Sequence, residues 1–274
     1  MSAHSLATAA RAVREARHLL IGAGAGIGVD SGLPDFRGDE GFWNAYPPYR
    51  DKGLSFISMA SPRWFALKPD VGWGFYGHRL ALYRATEPHE GFEILLRWAR
   101  DRASHFVFTS NVDGQFHKAG FDPARIYEVH GSIHHLQCSV PCCDDVYPAD
   151  EVHVEVDPDT MLARPPLPTC PRCGQLARPN VLMFGDFAYT SSREHHPRGA
   201  YDSWSAEVRG EPAVVIELGA GSAVPTVRME CERAASAPCA TLIRINPREP
   251  EVPRGQIGLP MGARNALRAI DALL

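Results

Sequence analysis

What this chain of 274 residues lacks narrows its nature first. No stretch approaches the ~20 consecutive apolar residues a membrane-spanning helix needs, so no transmembrane segment is expected. Positive charge is not in excess: the formal net charge is −4 and the isoelectric point about 6.3. That balance argues against a broadly basic nucleic-acid-binding surface. Internal repeats and low-complexity tracts are missing. The seven cysteines are odd in number and unsuited to a disulfide framework in a chain of this length, which points to a reducing, cytoplasmic compartment. The dinucleotide fingerprint G-x-G-x-x-G is also missing, because Ile27 stands three after Gly24 and Val29 three after Gly26.

What is present in the same place is a glycine-dense turn. The apolar run His18-Leu-Leu-Ile21 leads into Gly22-Ala-Gly-Ala-Gly26, and Asp35, Phe36 and Arg37 follow shortly after. Glycines allow close backbone approach and positive φ, so a strand followed by such a turn is a natural seat for a pyrophosphate. The N-terminus, with Arg11, Arg14 and Arg17, superficially resembles an organelle transit segment. Glu15 and the helical spacing of Ala9, Val13 and Ala16 instead predict a first helix.

Strand-like apolar runs fall at Leu19–Ile21, Phe106–Thr109, Ile126–Val129, Val181–Phe184, Ala213–Leu218 and Thr241–Ile245. Helical spacing fits Ala7–Arg17, Trp73–Arg84, Glu90–Ala103, Thr226–Ala235 and Ala263–Leu274. The alternation predicts an α/β protein: a Rossmann-like parallel sheet with helices on both faces, plus a smaller zinc-binding and helical domain. We divide it as 1–38, 104–135 and 179–274 for the sheet domain, 39–103 for a cofactor loop and helical insertion, and 136–178 for a zinc-ribbon insertion. The aromatic-rich stretch 39–72, with Phe42, Trp43, Tyr46, Tyr49, Phe56, Trp64 and Phe65, reads as a mobile loop followed by helices lining an apolar channel.

Cys138-Ser-Val-Pro-Cys142 and Cys170-Pro-Arg-Cys173 form two pairs separated by 27 residues, the arrangement in which two turns present four thiolates to one tetrahedral Zn²⁺. Cys143 follows Cys142 directly and is the alternative ligand of the first pair. An all-cysteine site is closed and structural. Cys231 and Cys239 read as core thiols. Two polar groups of residues stand just past buried strands, where open α/β sheets bind ligands: Ser110-Asn111-Val-Asp113 and His130-Gly131. An imidazole there suits proton abstraction near neutrality.

In their order, Gly24-Ala-Gly-Ile27 with Gly32-Leu-Pro-Asp-Phe-Arg37, Thr109-Ser-Asn-Val-Asp113, His130-Gly131, the two cysteine pairs, Arg178-Pro-Asn-Val-Leu-Met-Phe-Gly-Asp186, Gly219-Ala-Gly-Ser222 and Ile245-Asn246 resemble the sirtuin family of NAD-dependent protein lysine deacylases. The match runs from about residue 18 to 270. The resemblance implies NAD as co-substrate and an acylated lysine of a protein or peptide as substrate. It places Ala23, Gly24, Ala25, Asp35, Phe36 and Arg37 at the cofactor. Asn111 would hold the ribose or a water, Leu33 and Asp113 would receive the nicotinamide amide, and Gly219, Ser222 and Asn246 would hold the adenosine. Val181, Phe184 and Gly185 would flank the substrate backbone, which adds as a strand. His130 would be general base, and the products free lysine, nicotinamide and O-acyl-ADP-ribose.

Three positions depart from the family's pattern at cofactor contacts: Gly28 in place of a small hydroxyl residue, Ser110 in place of glutamine, and Ala220-Gly221. They leave an ADP-ribosyltransferase or NAD glycohydrolase as the alternative reading, and a non-catalytic NAD-sensing module as a further one. Tyr76 and Arg79 lie three apart on one helix face. They resemble the Tyr-x-x-Arg pair by which one sirtuin branch recognises succinyl and malonyl groups. No membrane, nucleic acid or second copy of the chain is called for.

Overall fold

The computed structural model describes residues 3–35 and 38–274. Its strands are β1 (His18–Ala23), β2 (Ser104–Thr109), β3 (Ile126–Glu128), β4 (Gly131–Cys138), β5 (Tyr147–Pro148), β6 (Ala177–Val181), β7 (Ala213–Leu218), β8 (Ala240–Ile245) and β9 (Ile257–Leu259). Six form one sheet in the order β3-β2-β1-β7-β8-β9, and β5-β4-β6 form a second. Every pairing in the first sheet is parallel, and both in the second are antiparallel. β1 is buried along its whole length because helices cover the sheet on both sides, which is why the sequence reads there as one apolar run.

The helices Ala3–Glu15, Glu90–Arg100 and Ala263–Asp271 bury Val13, Leu95, Trp98 and Leu267 against one face of this sheet. The helices His195–Glu207 and Thr226–Ala235 bury Tyr201, Trp204, Val227 and Cys231 against the other. A third core joins Trp73, Phe75 and Tyr76 of the helix Pro69–Ala85 to Ile133, Leu136 and Val181 of the antiparallel sheet. The register aligns Thr109 with Ala23, Ala23 with Leu218 and Leu218 with Ile245, and Glu128 with Thr109. With Leu259 beside Ile245, all six strands end in one row.

Several expectations change. Val181–Phe184 is not a strand of the main sheet: Val181 ends β6, which pairs with β4 instead, and an apolar run does not say which sheet it joins. β4 was hidden because its register shifts between Ser132 and Leu136, which breaks the alternation of buried side chains. The helix His195–Glu207 was hidden because only Tyr201 and Trp204 on it are buried. β4 and β6 run across the boundaries drawn at 135/136 and 178/179, and the helix Glu90–Arg100 packs on the parallel sheet although it was grouped with the insertion. Phe42, Tyr46 and Tyr49 pack on one another and on Phe75 in the third core, where a channel lining was expected. Cys231 is a core thiol as read, but Cys239 is exposed, at a turn where its φ is 67°.

One packing constraint is testable directly. A Cβ on Gly22 would stand 2.1 Å from the Cys231 Sγ. Gly22→Ala therefore lowers stability by about 1–3 kcal/mol, as other overpacked cores do. Adding Cys231→Ala restores most of it, since the Cys231 Cβ lies 3.9 Å away. Thermal unfolding of the single and double variants checks this, and an undiminished loss in the double variant would refute the contact.

Candidate active site and metal centre

From β1 the parallel sheet grows one way to β2 and β3 and the other way to β7, β8 and β9, so the loops after β1 and β7 diverge at a switch point, where ligands of such sheets bind. Here the two turns touch through bare backbone. The Gly24 N–H donates to the Leu218 carbonyl at 2.9 Å and the Gly26 N–H to the Gly219 carbonyl at 3.1 Å. A Cβ on Gly24 would lie 2.8 Å from the Ala220 Cα, and one on Gly26 2.7 Å from the Gly219 Cα. The glycines of the opening motif are thus required by loop-on-loop packing, a reason the sequence alone did not supply. Gly219 itself has φ 58°, in the left-handed region.

Asn246 is fully buried beneath this junction. Its Nδ2 donates to the Ala220 carbonyl at 2.8 Å, and its Oδ1 accepts from the N–H groups of Arg248 and Glu249 at 3.0 Å each. Glu249 in turn accepts from the Ser222 N–H at 2.8 Å. Asn246 therefore builds the 219–222 turn, and Glu249, which sequence reasoning passed over, braces it.

The loop after β2 is tied to the β1 turn. Thr109 Oγ1 donates to the Ala23 carbonyl at 2.9 Å, the Ser110 N–H donates to the same carbonyl at 3.1 Å, and Asn111 Nδ2 donates to the Gly24 carbonyl at 3.2 Å. Asp113 is buried, with Oδ1 accepting from the Gln115 N–H at 3.0 Å. Burial, reinforced by the Glu128 carboxylate, pushes its carboxyl up to about 6, against the opposing pull of that N–H and of Arg79. His130 is half-buried, and burial keeps its pKa below the usual value, with the Ser110 main chain opposing the shift. Gly131 follows it with φ 76°, and a Cβ there would run into the Asn180 carbonyl at 2.1 Å. Asn111, Asp113 and His130 are thus brought to one edge by the ends of β2 and β3.

Leu33 is buried, and a Cβ on Gly28 would stand 3.2 Å from it, so a larger residue at 28 presses on Leu33. Asp35 approaches Arg248 at 3.6 Å. Phe36 and Arg37, both expected at the cofactor, lie outside the described residues.

Toward the antiparallel sheet, Val181 is buried, Phe184 is half out of the surface at 40% exposure, and Gly185 has φ 69°. The segment is shaped by Arg178 and Asp186, a buried ion pair at 2.8 Å whose carboxylate also accepts from the Ala188 N–H at 3.2 Å. Both residues stood in the motif, but nothing in the sequence paired them. A cleft of about 670 Å³ opens beside His130 and Leu182, walled by Tyr201 and Thr226. On the helix Pro69–Ala85, Tyr76 and Arg79 are both buried. The Arg79 guanidinium lies 5.2–5.4 Å from the ring centroids of Phe75, Tyr76 and Tyr83 and donates to the Tyr83 hydroxyl from Nε at 3.0 Å. Tyr83, four residues on, was legible from helical spacing but was not picked out.

The Sγ atoms of Cys138, Cys142, Cys170 and Cys173 lie within 4.8 Å of one another. Cys138 to Cys173 is 3.7 Å and Cys142 to Cys170 is 3.8 Å. These match the ~3.8 Å edge of a tetrahedron with Zn–S bonds of about 2.3 Å. The donor set fits Zn²⁺, and it resolves the open choice: Cys142 is in the cluster and Cys143 is not.

Comparison with known proteins gives the same picture over most of the chain. A family model described as "Sir2 family" matches residues 24–198. The chain is 30% identical to the NAD-dependent protein deacylase of Aeropyrum pernix over 87% of its length and 84% of the relative's. It is 29% identical to that of Thermus thermophilus over 94% and 91%. A solved complex of a Sir2 homolog with NAD superposes with a TM-score of 0.69 at 26% identity, covering 97% of this chain and 93% of that one.

The thiol cluster predicts distinct outcomes for adjacent cysteines. Cys142→Ser strips bound zinc from the purified protein and lowers its thermal midpoint, whereas Cys143→Ser keeps about one zinc per chain, as a four-ligand closed site requires. Metal analysis of both variants decides between them.

Proposed function

The chain belongs to the Sir2 family, and from that premise we propose that it works as an NAD-dependent protein deacylase with Asn111, Asp113 and His130 as its working side chains. The observation that carries the reading is their convergence at the carboxyl edge of β2 and β3, bonded through Ser110 and Asn111 to the glycine turn after β1. When bound, NAD would supply the ribose carbon that takes the acyl oxygen as its bond to nicotinamide breaks; transfer of the acyl group to a ribose hydroxyl, with one water consumed as the lysine C–N bond breaks, gives nicotinamide, O-acyl-ADP-ribose and free lysine.

The chain's own contributions follow from the geometry. The backbone of Ala23, Gly24 and Ala25, with Gly219 and Ser222, would line the cofactor crevice, and Ser110 and Asp35 would border it. Asn111, anchored to Gly24, holds a ribose hydroxyl or a water. Asp113, ionised above about 6, accepts the nicotinamide amide beside Leu33. Burial favours the neutral His130 ring, so a ring nitrogen can accept a ribose hydroxyl proton as general base. Val181, Phe184 and Gly185 offer main chain to a substrate strand. Four thiolates would hold the zinc in a closed set with no open position, so its role is to fold the insertion. The unpaired cysteines support a cytoplasmic setting.

The acyl group is argued from Arg79. Burial opposes its charge, but Tyr83, Tyr76 and Tyr46 around it hold the pKa up. A buried cation with tyrosine hydroxyls beside it is suited to a carboxylate, so succinyl and malonyl lysine are the proposed substrates ahead of acetyl-lysine. The altered residues at 28 and 110 favour, as second reading, transfer of ADP-ribose to protein or to water.

Incubation with NAD and acetyl, malonyl and succinyl peptides, followed by mass analysis, tests this reading. O-acyl-ADP-ribose is expected; ADP-ribose without deacylated peptide would support the second reading. His130→Ala abolishes deacylation with NAD binding kept. In the wild type, kcat/KM falls as pH drops through about 6, where Asp113 takes up a proton, and His130, held below the usual imidazole value by burial, also loses its working form as pH falls. A flat profile through that range would count against both roles. Arg79→Met lowers kcat/KM for succinyl peptide by about 10–100-fold, the value of a charge-assisted bond, and leaves the acetyl peptide nearly unaffected. Equal losses on both peptides would remove Arg79 from acyl recognition.

A further inference from the structure

We infer that His89, which the reaction does not use, is a positioning residue that holds the cofactor turn Ala25–Ser31 in place and so sets the affinity for NAD. The inference rests on the NAD reading above. His89 caps the helix Glu90–Arg100, with Nδ1 accepting from the Gly91 N–H at 2.9 Å. That leaves the ring hydrogen on Nε2, which donates to the Ile27 carbonyl at 3.0 Å. The main-chain N–H of His89 donates to Ser31 Oγ at 3.0 Å. One residue thus grips the turn at two points. From there the path to the site is short: the Ile27 N–H donates to the Gly24 carbonyl at 3.2 Å, the same carbonyl that receives Asn111 Nδ2.

The ring has little freedom to do anything else. It is 7% exposed, stands edge-on to Phe92 at 5.1 Å between centroids, and fills the space a side chain at Gly91 would need, 2.5 Å from that Cβ position. Both ring nitrogens are committed in the neutral tautomer. Protonation would place a second N–H on Nδ1, pointing at the Gly91 N–H; it would break the helix cap and leave the Nε2–H bond to Ile27 in place. Burial above all opposes the cation, while the bond to the Ile27 carbonyl favours it, as do Asp30 on the turn and Glu90 on its own helix; Arg264 on the helix Ala263–Asp271 opposes it. Asp30 is itself fastened, accepting from the Arg264 N–H at 2.8 Å, so removing the ring frees the end of the turn at Ile27 and not the end at Asp30.

The test is calorimetric titration of NAD into the wild type, His89→Asn and His89→Ala at about pH 7.5, where an imidazole is largely neutral, with thermal unfolding of each. Asparagine restores the helix cap but is too short to keep the cap and also reach the Ile27 carbonyl. Both variants are expected to bind NAD about three- to tenfold more weakly than the wild type, the worth of one neutral hydrogen bond, and only His89→Ala to lose its cap and show a clearly lowered thermal midpoint. Variants that bind NAD like the wild type, with only the thermal midpoint changed, overturn the inference. Failure of the wild type to bind NAD near pH 7.5 would instead sink the NAD reading itself.

Discussion

The structure depends on two turns of backbone lying against each other with no side chain between them. The turn after β1 and the turn after β7 leave neighbouring strand ends at the switch point, and Gly24, Gly26 and Gly219 let them close to hydrogen-bonding distance. Each other part of the site is referenced to this junction. Asn111 reaches it from β2 through the Gly24 carbonyl, Ser110 reaches it through the Ala23 carbonyl, and Asn246 reaches it from β8 through Ala220. The flush strand ends give these connections their short span. No single strand presents Asn111, Asp113 and His130; the parallel register does.

The helix Pro69–Ala85 and the cysteine-bearing insertion are fastened to each other at separate points. Arg84 on the helix Pro69–Ala85 donates to the carbonyls of Val152 and Ala149 in the cysteine-bearing insertion, and the close fit of Gly74 against the Met161 carbonyl lets the insertion lie on that helix. The segment 182–184 is fastened at both ends, by the Leu182 N–H to the His130 carbonyl and the Phe184 N–H to the Ala60 carbonyl. A closed thiolate cluster far from the polar edge can fix such an insertion without touching the chemistry.

Much of this was legible in the sequence for physical reasons. Central parallel strands are buried on both faces, so β1, β2, β7 and β8 stand out as apolar runs. Polar residues immediately after them sit where ligands bind, which singles out Asn111, Asp113 and His130. The cysteine spacing marks a metal-sized cluster. What was illegible depends on partners distant in sequence or on small breaks in pattern. The Arg178–Asp186 pair, the brace of Glu249 on Ser222 and the grip of His89 on Ile27 leave no periodic trace. β4 was missed because its register shift disrupts the one periodicity that announces a strand. Gly22 looked like part of a phosphate turn, yet its need is for the space taken by Cys231. Cys239 looked like a core thiol because its surroundings are apolar in sequence, and a left-handed backbone turn puts it outside.

On the proposed reading, in which an acyl-lysine peptide adds along residues 181–185, the buried Arg178–Asp186 pair has a consequence for how that peptide is held. A strand added to an existing edge must be ordered, and someone bears the entropy of ordering both partners. Here the receiving edge is already rigid: the carboxylate of Asp186 is locked to a guanidinium and to the Ala188 N–H, and Gly185 is set in its left-handed bend. Nearly all of the disorder lost on docking is therefore the peptide's own. Acylated lysines in chain segments that are already unstructured but easily extended will be captured, while the same residue inside a folded helix will be passed over, so the accessibility of the target backbone selects substrates before any side chain is read.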